Sequence, residues 1–232
     1  MIRVILLNML IWAAFVSPIF AQTPVDSAAM AADPQVLIKT CDRMLEESPH
    51  NVKVRLRRAA LYQWLGADDK ALADYNIILE DVPNHTEALL FRADIYRKKR
   101  DFRNARSDYE RLIQLQPGNL QASLGLVITN DADGRPKEAM DQINTIVEAW
   151  PEEALVYLVR GEMFMKRGVY PQALMDFDES IRLDAANPDA YVSRGLYYKH
   201  RRKTSKARED FQRAVALGAD ADYVYSLLKD LR

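Results

Sequence analysis

From residue 52 onward the chain alternates apolar-periodic stretches of about a dozen residues with short polar turns such as KRGVYP and RRKTSK. Apolar positions three and four apart predict helices, and the strict alternation of a half-buried strand is absent. The pattern itself repeats. Pro49, Pro83, Pro117 and Pro151 stand 34 residues apart, in EESPHN, EDVPNH, QLQPGN and EAWPEE. Proline lacks an amide hydrogen and biases the residue before it out of helix, so each proline marks a boundary. Aligned on them, the chain divides into segments 52–85, 86–119, 120–153, 154–187 and 188–221. Each is predicted to be a helix, a tight turn and a second helix. Ala185 stands where the next proline is due, with Pro188 three residues on, yet the register holds beyond it.

Small residues recur in that register. Ala71, Ala105, Ala139, Ala173 and Ala207 fall one to each second helix, and Ala93, Gly161 and Gly195 on first helices. Where two helices cross closely nothing larger than a methyl fits, and aromatic rings fill the wider gaps. The fourth segment has Tyr157, Gly161, Phe164, Gly168, Ala173 and Phe177; the fifth has Tyr191, Gly195, Tyr198, Ala207, Phe211 and Ala214. The second has Leu89, Ala93, Tyr96, Ala105, Tyr109 and Pro117, and the first Ala59, Tyr62, Gly66, Ala71, Tyr75 and Pro83. In these residues the chain resembles the tetratricopeptide repeat family, a 34-residue helix–turn–helix patterned W-x2-L-G-x2-Y, then A-x3-F, then P. The resemblance implies an all-α fold, a right-handed superhelical solenoid of antiparallel helix pairs.

The flanks fit an array. Pro34 to Pro49 reads as a helix covering the open face of the first repeat, within a covering segment 34–51. Residues 222–232 read as a closing helix, with Tyr223, Leu227, Leu228 and Leu231 near one face. The third segment departs from the pattern: Ser123 replaces a large residue, Asn130 an aromatic one, and Gly125 lies inside a helix. Glycine there costs about 1 kcal/mol relative to alanine, so this unit is expected to be the least stable.

The N-terminus changes the expected location. Arg3, the apolar run from Val4 to Val16 broken only by Asn8, and Pro18 with Ile19-Phe20-Ala21 ahead of a polar stretch have the layout of a secretory signal peptide, residues 1–21. The run is shorter than the roughly 20 residues a membrane-spanning helix needs, so membrane association enters only through an uncleaved leader. Residues 22–33 read as a flexible lead. The expectation is an exported protein, periplasmic or secreted, from a bacterial cell. Cys41 is the single cysteine, so no intrachain disulfide forms; its apolar neighbours Val36, Leu37, Met44 and Leu45 point to a buried small side chain. Formal net charge is −1, which argues against nucleic acid as a partner.

Candidate chemistry is sparse. His50, His85 and His200 have no ligand spacing, and no cofactor or metal site is expected. Asp131, Asp133 and Gly134 imitate part of a calcium loop, but Thr129 and Met140 stand where its terminal acids belong. Phosphate-loop and nucleophile-elbow motifs are absent, which points away from an enzyme. Cations gather where first helices end: Arg97, Lys98 and Arg100 in the second segment, Lys166 and Arg167 in the fourth, Arg201, Arg202 and Lys203 in the fifth. They either answer the helix macrodipole or stack into a basic ridge that attracts an acidic ligand.

The family resemblance implies a concave groove lined by first helices and holding a partner peptide or helix. By register Leu56, Leu90, Leu124, Leu158 and Val192 face it, beside Lys53, Asp94, Glu162 and Lys199. Alternatively the apolar residues pack between repeats. Some family members grip a C-terminal carboxylate with asparagine and lysine, but leucine or valine recurs here where the first lysine would sit. The resemblance therefore implies a protein-interaction scaffold or adaptor, with a chaperone-like or envelope-assembly factor as the alternative.

Overall fold

The computed structural model describes residues 33–229, which form twelve helices and no strand. The leader, the lead up to residue 32, and Leu231 with its neighbours lie outside the described residues. In chain order the helices are α1 Pro34–Glu47, α2 Val52–Trp64, α3 Asp68–Asp81, α4 Thr86–Lys98, α5 Phe102–Leu115 and α6 Leu120–Ala132. Then follow α7 Pro136–Ala149, α8 Ala154–Lys166, α9 Tyr170–Leu183, α10 Pro188–His200, α11 Thr204–Ala216 and α12 Ala221–Lys229. The chain forms two compact units, one ending at Asp133 and one beginning at Gly134. The division falls within the segment 120–153.

Local chemistry sets the helix starts. Asn51, Asn119 and Asn187 cap α2, α6 and α10 by accepting the amides of Val54, Ala122 and Asp189. His85 does the same for α4, its Nδ1 accepting from Ala88 at 3.3 Å. The turns need a left-handed residue, and one phase supplies it: Gly66, Gly134 and Gly168 have φ of 71°, 77° and 73°. Arg100 and Arg202 hold that position at 63° and 57°. A side chain there costs about 1–2 kcal/mol, so the arginines spend stability that glycine would keep.

In the first unit α2 pairs with α3 and α4 with α5, while α1 covers α2 and α6 packs on α5. Ala59, Ala71, Ala93 and Ala105 are wholly buried with Tyr75 and Tyr109. On the inner face of α1, Cys41, Ile38 and Leu45 pack with Val54 and Leu61 of α2, and burial pushes the Cys41 thiol up. Gly125 has a packing role: a Cβ there would meet Tyr109 at 2.5 Å, so the glycine admits the ring. In the second unit α8 pairs with α9 and α10 with α11, α7 packs on α8, and α12 closes α11 with Val224 buried. A Cβ at Gly161 would meet Phe177 at 2.8 Å, and one at Gly195 would meet Phe211 at 2.6 Å. Each ring sits where a first helix lacks a side chain.

Candidate interaction surface

Four of the first helices are held to their neighbours by the same polar tie. Arg58 donates Nε and Nη2 to Asp74 at 2.9 and 2.6 Å, and Nη1 to Asp42 at 2.7 Å. Arg92 does so with Asp108 at 2.7 and 2.8 Å and with Asn76 at 2.8 Å. In the second unit Arg160 holds Asp176 at 2.8 Å twice and Asn144 at 3.3 Å. Arg194 holds Asp210 at 2.9 and 2.8 Å and Asp178 at 2.7 Å. Each guanidinium thus binds its own second helix bidentately and reaches the helix before it, joining three helices. The bidentate partners Asp74, Asp108, Asp176 and Asp210 are buried, and each arginine also lies over a tyrosine or phenylalanine ring, Tyr62, Tyr96, Phe164 and Tyr198 among them. A paired, bidentate, stacked guanidinium is the arrangement in which a buried charge is tolerated. Sequence reasoning missed this tie, although its signal is written in phase: arginine at 58, 92, 160 and 194, aspartate at 74, 108, 176 and 210. The third segment has Leu126 and Gln142 at those positions, and Asn130 in place of the ring.

The apolar positions assigned to the groove are buried. Leu56, Leu90, Leu124, Leu158 and Val192 are at most 6% exposed, so they fill the packing and offer no apolar strip to a partner. Helical register names the face a residue lies on, and here neighbouring helices cover that face. The polar positions behave differently. Lys53 is exposed. Lys199 is half-buried and donates to the Leu227 carbonyl at 3.4 Å. Asp94 is neutralised: Tyr109 donates its hydroxyl at 2.6 Å and Arg97 its Nη2 at 3.0 Å. Burial and the Asp94 charge push the Tyr109 phenol well up.

Glu162 has the register of Asp94, two segments on, and lacks those donors. Met165 stands at the phase of Arg97, and Phe177 at that of Tyr109. The Ser193 hydroxyl, donating at 2.7 Å, is its hydrogen-bond partner. Crowding by protein pushes the Glu162 carboxyl up to about 7, against the Ser193 bond and with help from the Asp189 charge. Solvent still reaches the side chain, so the direction holds while water reduces its size. Asp189, one turn before Ser193 on α10, is 7% exposed, and burial alone raises it to about 6.

Local partners engage much of the basic clusters. Arg97 is buried in the Asp94 network. Lys98 pairs with Asp68 at 2.7 Å and Lys99 with Asp69 at 2.6 Å, the acidic first turn of α3 cancelling the cations beside it. Arg100 lies over Phe102, and Arg167 donates to the carbonyls of Met163 and Pro136. Lys166 is exposed at the end of α8. Arg201, Arg202 and Lys203 are exposed, with Arg201 over the Tyr170 ring. Among the described residues no three histidine, cysteine or acidic side chains converge as metal ligands, and no helix is long and apolar enough to cross a membrane.

Comparison with known proteins agrees with this architecture. The family model for the tetratricopeptide repeat matches residues 69–119, 92–154 and 158–222. A curated relative, tetratricopeptide repeat protein 36 of Xenopus tropicalis, is 36% identical over 74 residues, 30% of this chain and 37% of that protein. The chain thus spans little more than a third of that relative's length. A solved tetratricopeptide repeat protein from Parabacteroides merdae superposes with TM-score 0.81 at 24% identity, over 90% of this chain and 85% of that one. A thermophilic protein of the same repeat class from Thermus thermophilus gives 0.69 at 17%, over 78% and 98%. YrrB, described as having an unusual peptide-binding site, gives 0.51 at 20%, over 83% and 99%.

Proposed function

Because the chain belongs to the tetratricopeptide repeat family, whose members serve in protein–protein interaction, we propose that it is a non-enzymatic adaptor that holds a partner protein's peptide or helix against its first helices. The carrying observation is that first helices touch one another directly within each unit, α4 with α6 and α8 with α10, past the second helix between them in the chain. That makes a face of first helices in each unit, held by the arginine ties. Its exposed or partly satisfied side chains are polar, so recognition rests on hydrogen bonds and charge more than on apolar burial.

The reading includes export: the leader directs the chain out of the cytoplasm, into the periplasm or beyond. Mass spectrometry of the protein from its own cells should find an N-terminus at Gln22, and fractionation should place it outside the cytoplasm. Cross-linking from Lys53 and from position 162 should capture one recurrent partner, and Glu162→Arg should abolish capture at that position. Capture unchanged by Glu162→Arg and equal from surfaces of the second helices would overturn the groove reading. Release of the partner by a competing peptide would class the adaptor as a holder of transient clients.

A further inference from the structure

We propose that the second unit carries an acidic recess between α8 and α10, built from Glu162, Asp189 and Ser193, that seats one lysine or arginine side chain of the partner; this rests on the reading that first helices bind a partner. Asp189 is 7% exposed as a residue, and no hydrogen-bond donor reaches its carboxylate among the described residues. Ser193 lies one turn further along the same face and touches Glu162. Asp189 adds its charge to the environment of Glu162, so the two carboxylates share one recess. No cation figures among the groups acting on either.

A carboxylate that has lost most of its water and gained no counter-charge is destabilised as the anion, and proteins normally supply the missing partner. The first unit does so at the same register, with Arg97 and Tyr109 on Asp94. The second unit has Met165 and Phe177 there instead, leaving its acid open. Helix position does not explain both acids. Asp189 is in the first turn of α10, where the macrodipole favours it, but Glu162 is in the C-terminal half of α8, where the macrodipole opposes it. An arriving ammonium or guanidinium supplies the charge and the multiple donors that two carboxylates and a hydroxyl accept. A calcium ion is a poorer fit, since it takes six to eight oxygen ligands and no third acidic, histidine or cysteine side chain joins the recess among the described residues.

The test is selection of a displayed random-peptide library against the full chain and against its Glu162→Gln/Asp189→Asn variant. The expected result is that the full chain enriches peptides sharing one lysine or arginine, and that the variant binds the best of them about tenfold more weakly. Replacing that peptide residue with norleucine or citrulline should cost the same tenfold with the unaltered chain and nothing with the variant. Enriched peptides without a shared cation, or equal binding by both proteins, would overturn the recess and leave the partner-binding reading standing. Failure to enrich any peptide would overturn both. Displacement of the peptide by calcium chloride, lost in the variant, would reassign the recess to a divalent cation. Glu162 is solvent-accessible, so Glu162→Gln alone serves if the double variant does not fold.

Discussion

Asp94 and Glu162 hold one register position in two repeats and have opposite fates. Around Asp94 the protein built a closed network: a buried guanidinium, a buried phenol and a carboxylate, each satisfied by the others. Around Glu162 the same frame is kept, with Arg160 on Asp176 and a phenyl ring over Gly161, but both donors are gone. The comparison teaches that the repeat separates two tasks. Small residues, rings and arginine ties keep the geometry, and a few polar positions on the first helix vary to be either satisfied internally or left for a partner.

The broadest test asks whether the frame is common to both regions. Arg92→Ala and Arg160→Ala each strand a buried aspartate, and each should lose about 3–4 kcal/mol in urea unfolding. Unequal losses would mean that the repeats differ in more than the acid. Next, Arg97→Met gives the second repeat the residue of the fourth. It leaves Asp94 with Tyr109 alone and should cost about 2–3 kcal/mol. Tyr109→Phe completes the imitation and should cost about 1–2 kcal/mol alone, less when added to Arg97→Met, because the two share one network.

The smallest effect is on pH. Glu162 and Asp189 have folded-state values raised to about 7 and about 6, above their unfolded values. The folded protein therefore binds protons more tightly than the unfolded chain. Their contribution is fully present below about pH 4 and is lost as pH rises to about 7. Glu179, held low by its hydrogen bond from Arg182, acts in the opposite direction. Melting temperature against pH should thus rise between pH 4 and 7 more steeply for Glu162→Gln/Asp189→Asn than for the unaltered chain. Identical profiles would show that the recess does not retain protons.

Much of the fold was legible because packing constraints recur. The prolines mark the turns, the alanines in phase mark close helix crossings, and Cys41 is buried as expected, although Val36 and Met44 beside it are exposed and Ile38, Leu45, Val54 and Leu61 surround it instead. Gly125 shows the limit of local reasoning: its cost in helix propensity is read from its own helix, but the room it gives Tyr109 serves another. The candidate site was less legible. Leu56, Leu90 and the other groove leucines have the right register, but register cannot tell a face open to a partner from one covered by the next helix. Arg97 was grouped with exposed lysines through its neighbours in sequence, whereas its side chain turns inward to partners three and twelve residues away.

The sequence by itself determined the period, the helix pairs and the family, because each of these rests on short-range periodicity and on side-chain size at repeated positions. Tertiary structure alone decided which charges are spent. Whether an arginine is a tie, a network member or a surface cation depends on donors and acceptors brought from other helices. The same holds for an acid left without a donor. Electrostatic free energy depends on distance and on exclusion of water, and neither is defined until the helices have packed.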